Sequence, residues 1–90
     1  QPEQIKPLLV SLSNEKDTNK IKELFDNLLP QFPTDGSATP ILEPIFTSFS
    51  QEQIETFSSN ICYYMLYQIS EKILLLTQTA ELALCFVEII

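Results

Sequence analysis

The chain has 90 residues, 44% of them apolar, with 12 acids, five lysines, a net charge of −7 and no arginine, histidine or tryptophan. Without arginine and with pI ≈ 4.2 it has no electrostatic footprint for nucleic acid or for an anionic membrane surface. The missing histidine removes the commonest general base and metal ligand, and a single glycine leaves no phosphate-binding loop.

Ile5, Leu8, Leu9 and Leu12 recur at the spacing of one helical face. Pro7 suits a first turn, where its missing N–H costs nothing, so a short helix is predicted from about Lys6 to Ser13. Ile21, Leu24, Phe25 and Leu28 form the stripe of a second helix, capped by Asn14 or Asp17 and closed at Leu29 by Pro30. Lys16, Lys20 and Lys22 cluster, but Glu15, Asp17, Glu23 and Asp26 interleave with them, so no basic patch results.

Residues 30–38 have the composition of a loop, with Pro33, Asp35, Gly36 and Ser37. Thr39-Pro40 reads as a cap and first position of a third helix, which Pro44 kinks or re-starts, with Ile41, Leu42, Ile45, Phe46 and Phe49 as its apolar side. Ser50 and Gln53 make a capping box. Neither proline nor glycine follows Pro44, so one long helix is predicted from about Gln51 to Leu76. A turn at Thr77–Thr79 then leads to a last helix ending at Ile90, the alternative being a single unbroken helix to the end. The alternative for Leu82–Ile90 is a buried strand, because short apolar runs are ambiguous.

The expected fold is all-α with about five helices. It is either a helical bundle or a pair of helix-turn-helix units of an α-solenoid. Residues 1–90 read as one helical domain or an excerpt of a larger helical protein: a helix pair over 5–29, a loop over 30–38 and helices over 39–90. No signal peptide is visible, and the longest apolar runs, Ile73–Leu76 and Leu82–Val87, fall short of the ~20 residues of a membrane span.

On the fourth helix, Ile54, Phe57, Ile61 and Met65 fall on one side and drift through Ile69 and Leu76, which predicts the core face. Tyr63, Tyr67 and Leu74 lie nearly opposite, with Cys62, Leu66 and Ile73 on the flank between. The bland reading of the tyrosines is a central helix buried on both sides. The sharper one is an exposed strip anchoring a partner, since tyrosine is enriched at interface hot spots. On the last helix, Leu82, Phe86 and Ile89 face one way and Ala83, Val87 and Ile90 another, more apolar surface than so small a monomer covers. The expected partner-binding residues are therefore Tyr63, Tyr67, Leu74, Leu84 and Val87.

With a turn near Gln78, Cys62 lies about 13 Å along the helix from the point facing Cys85. A disulfide needs Cα atoms within about 7 Å, so both cysteines are expected as free, buried thiols. That favours an intracellular compartment, cytoplasmic or nuclear alike. No catalytic residues, metal ligands or cofactor are expected. The functional expectation is a non-enzymatic protein–protein interaction or scaffold module acting through apolar helix faces, its partner a basic or apolar helix. The rivals are homo-oligomerisation, and a bundle holding an apolar ligand among Phe25, Phe46, Phe49, Phe57 and Phe86.

Overall fold

Five helices and the turns between them make up the computed structural model, which describes residues 2–73 and 76–90. They are α1 (Pro2–Leu12), α2 (Thr18–Leu28), α3 (Ala38–Phe46), α4 (Gln51–Ser70) and α5 (Leu76–Ile89). A 3-10 turn, Leu29–Gln31, extends α2, with Pro30 in its first positions. No strand occurs among the described residues, so Leu82–Ile89 is helical and the fold is all-α. α1 packs on α2, α3 and α4, and α5 lies against α3 and α4 and over the 3-10 turn.

Local chemistry sets most boundaries. Of the two caps open for α2, Asp17 takes the role: its carboxylate accepts from the backbone N–H of Asn19 at 2.9 Å. Ser50 and Gln53 close the capping box of α4 in both directions, at 3.2 and 2.8 Å. The Gln53 amide then donates to Ser13 Oγ at 3.2 Å, which ties the start of α4 to the end of α1.

Several helix starts and stops differ from the sequence reading. α1 begins four residues earlier, at Pro2, so Pro7 stands inside it. Its missing N–H removes the helical bond to the Glu3 carbonyl, in a turn where Glu3 and Pro7 are both exposed. α3 begins at Ala38 after Ser37, not at Pro40 after Thr39, because the Asp35 carboxylate accepts from the Ser37 N–H at 3.0 Å and Gly36 turns the chain at φ +87°. Pro44 rides inside α3, and Phe49 is buried from the connection beyond it.

The long fourth helix ends at Ser70, and the turn falls before Leu76 rather than at Thr77–Thr79. The stop is a Schellman motif: Lys72 N–H bonds the Ile69 carbonyl at 3.1 Å and Ile73 N–H bonds the Gln68 carbonyl at 2.8 Å. Lys72 holds the left-handed position at φ 56°, a place usually given to glycine.

The core is a ring of aromatic contacts. Phe57 is fully buried on α4, with ring centroids 5.3 Å from Phe46 and 4.7 Å from Phe86. Phe46 in turn meets Phe49 at 5.5 Å and Phe86 at 5.0 Å. Leu9, Leu12, Leu28, Leu42 and Leu82 close the remaining space.

Candidate functional site

α4 presents a different face to each neighbour, and the faces are rotated from the sequence reading. The buried residues are Thr56, Phe57, Asn60, Ile61, Tyr64 and Gln68. Met65 is only half-buried and Ile69 is 58% exposed, so neither belongs to the core face. Leu76 is half-buried at the start of α5. The rotation follows from partners. The Asn60 amide donates to the carbonyls of Leu12 and Glu15 at 2.8 Å each, and Tyr64 Oη donates to Asp26 Oδ1 at 2.6 Å. Buried polar groups with partners cost little, so α1 and α2 claim this side of the helix.

Tyr63 and Tyr67 flank that side. Both are half-buried and packed against the core, which corrects the expectation of an exposed tyrosine strip. Tyr64 stacks on Phe25 at 4.6 Å and meets Tyr67 at 5.7 Å, while Lys22 Nζ sits 4.9 Å over the Tyr67 ring. Leu74 lies outside the described residues.

Burial, and then the hydrogen bond to Asp26 and its charge, raise the Tyr64 hydroxyl well above its ordinary value near 10. The folded chain keeps this proton where the unfolded chain releases it. Its contribution is therefore full below pH ~10 and is lost as pH rises through the raised folded value. Tyr64→Phe is expected to cost about 1–1.5 kcal/mol at pH 7, since Asp26 is exposed and partly screened. The gap to the parent should narrow between pH 8 and pH 11 in urea titrations; a constant gap refutes the linkage.

The outward side of α4 is apolar. Leu66 is 66% and Ile69 58% exposed, and Cys62 is also exposed. Across from it, Val87 on α5 is 68% exposed and Ile90, just beyond the helix, 55%. Between the helices runs a groove of about 180 Å³, walled by Ser58, Ile61, Cys62 and Met65 from α4 and by Ala83, Phe86, Val87 and Ile90 from the α5 side. Leu84, 61% exposed, sits on the far side of α5 from the core. Of the expected binding residues, Leu84 and Val87 are thus on the surface, and only Val87 lines the groove. Cys62, Met65, Leu66, Ile69 and Ile90 were missed or assigned elsewhere. The signal for them is the spacing Ser58, Cys62, Met65, Ile69, which repeats the buried Phe57, Ile61, Tyr64, Gln68 one residue on.

A second cleft of about 330 Å³ lies near the end of α4, lined by Asp26, Leu29, Pro30, Tyr64, Gln68, Ile73 and Gln78. Its one carboxylate already accepts from Tyr64. Among the described residues no three His, Cys, Asp or Glu side chains converge on a metal position. No helix among them is long and apolar enough to cross a membrane.

The cysteines part company. Both are free, but Cys62 is exposed and only Cys85 is buried, 3.7 Å from Thr39 Oγ1, so the expectation of two buried thiols is corrected for Cys62. Under native conditions Cys62 should react with a maleimide at the rate of a free thiol, while Cys85 waits for denaturant. Prompt modification of both would contradict the packing of α5. No family model, curated protein or solved structure matches the chain, so the reading of this surface rests on its own chemistry.

Proposed function

We propose that this chain is a non-enzymatic protein–protein interaction or scaffold module that buries apolar helix faces against a partner. One observation carries the reading: Val87 and Ile90, each more than half exposed, line a single groove with Cys62 and Met65, and Leu66 and Ile69 add exposed apolar surface on α4. Single exposed apolar residues are ordinary, whereas a contiguous rimmed patch marks a contact surface. The apolar-ligand alternative draws no support from Phe46, Phe49, Phe57 and Phe86, whose rings fill one another's space.

A photo-reactive amino acid at position 87, in the chain expressed in its source cells, is the direct test. Discrete protein adducts are expected from there and not from position 19, an exposed polar site on α2. Equal yields at the two positions, or none at 87, would overturn the reading.

A further inference from the structure

We infer that the α4–α5 groove receives an amphipathic helix of a different protein, its apolar stripe flanked by lysine or arginine. This rests on the interaction-module reading and names the partner's chemistry. The first argument is spacing. Ser58, Cys62, Met65 and Ile69 advance by four, three and four residues, and Ala83, Val87 and Ile90 by four and three. Those steps are the seam of a helix that packs on another helix. Each helix already spends one such seam inside the fold, Phe57–Ile61–Tyr64–Gln68 on α4 and Thr79–Leu82–Phe86 on α5. The second seams lie side by side, open, with small Ser58 and Ala83 leaving the space between them. A third helix laid along the groove meets both. No strand edge exists among the described residues for an extended peptide to join, so helix-in-groove is the mode the surface fits.

The second argument is charge, and it decides between a foreign helix and a second copy. α4 and α5 carry four glutamates, Glu52, Glu55, Glu81 and Glu88, and no lysine. Glu55 stands two turns before Cys62 on the same face, and Glu88 follows Val87; both are exposed. Of the five lysines, Lys16 reaches α4, its Nζ 3.4 Å from Thr56 Oγ1 beside Glu52 and Glu55 on a cleft separate from the groove, and the others belong to α1, α2 and the turn after α4. A second copy docking by this face sets Glu55 and Glu88, which flank the groove, against acidic counterparts. A helix with basic flanks brings the complement, which selects it and speeds its encounter.

The probe is a designed peptide of about 21 residues, three heptads with leucine at the seam positions and lysine on the flanks. The readout is the native alkylation rate of Cys62. At a peptide concentration ten times Kd, alkylation should slow about tenfold, because only the free fraction reacts. Protection should weaken as salt rises. Val87→Asp and Ile90→Asp, both at exposed positions that line the groove and checked by circular dichroism, should each remove it. A peptide with the same leucines and glutamate flanks should not protect. Equal protection by the glutamate peptide, or by a lysine peptide with its leucines scrambled, overturns the inference. If no peptide protects but Cys62 becomes protected as the protein alone is concentrated, the occupant is a second copy: the inference fails and the interaction reading stands. If nothing protects Cys62 and position 87 yields no adduct, both fail.

Discussion

Truncating Phe57 to alanine is expected to cost about 3–5 kcal/mol, the largest effect of any single truncation in this chain. The residue is fully buried, and its ring meets Phe46, Phe49 and Phe86 from three separate segments. Removing it opens a cavity bounded by α3, α5 and the connection before α4, none of which can collapse without breaking its other contacts. A domain of this length has roughly 5–13 kcal/mol in all, so the variant should sit near the edge of folding at 37 °C. Phe57→Leu keeps most of the volume and should cost about 1–1.5 kcal/mol. Val87→Ala, by contrast, should stay within about 0.5 kcal/mol, because Val87 contributes little to the fold. Urea titrations check all three, with the midpoint falling and the slope unchanged. A loss near 1 kcal/mol for Phe57→Ala would mean that the aromatic ring is loosely packed.

How far the fold could be read from the residues depends on what kind of signal each boundary carries. Asp17, Pro30 and the Ser50–Gln53 pair act through their own side chains or rings on the backbone a few residues away, so they were legible. The end of α4 was not. Its left-handed residue is Lys72, and lysine carries no turn signal; the break exists because Lys72 and Ile73 N–H groups return to Ile69 and Gln68 carbonyls. The two faces of α5 were separable, since Leu82 and Phe86 are buried while Val87 and Ile90 are exposed. α4 resisted the same treatment because it is apolar nearly all round. Periodicity then allows more than one stripe, and the choice falls to Asn60, Tyr64 and Gln68, polar residues that a hydrophobic count discards. The candidate surface was displaced for the same reason: Tyr64 went inward with Asp26 as partner, Tyr63 and Tyr67 lie half-buried beside it with Lys22 over the Tyr67 ring, and Cys62, Leu66 and Ile69 were left outside.

Asn60 supplies the second large effect. It is 6% exposed and spends both amide hydrogens on backbone carbonyls, that of Leu12 at the end of α1 and that of Glu15 in the following connection. The Leu12 carbonyl is among the last of its helix, which have no partner within it. Asn60 thus fastens the α1–α2 connection to α4 by a side chain some 45 residues away in sequence. Asn60→Ala leaves both carbonyls without their donor and is expected to cost about 2–4 kcal/mol, roughly 1–3 kcal/mol for the buried Leu12 carbonyl and about 1 kcal/mol for the part-buried Glu15 carbonyl. Asn60→Asp separates hydrogen bonding from shape, since volume is kept while both donors are lost. Its carboxylate would face two carbonyl oxygens with little water, which disfavours the charged form and raises the folded pKa of the introduced group above its unfolded value. A raised folded pKa gives stability that is present below the unfolded value near 4 and disappears as pH climbs through the folded one. Asn60→Asp should therefore be less destabilised relative to the parent at pH 4 than at pH 7, while the Asn60→Ala deficit stays level. Equal deficits for Asn60→Asp at the two pH values would show that water reaches the pair of carbonyls and that the clasp is weaker than its geometry implies.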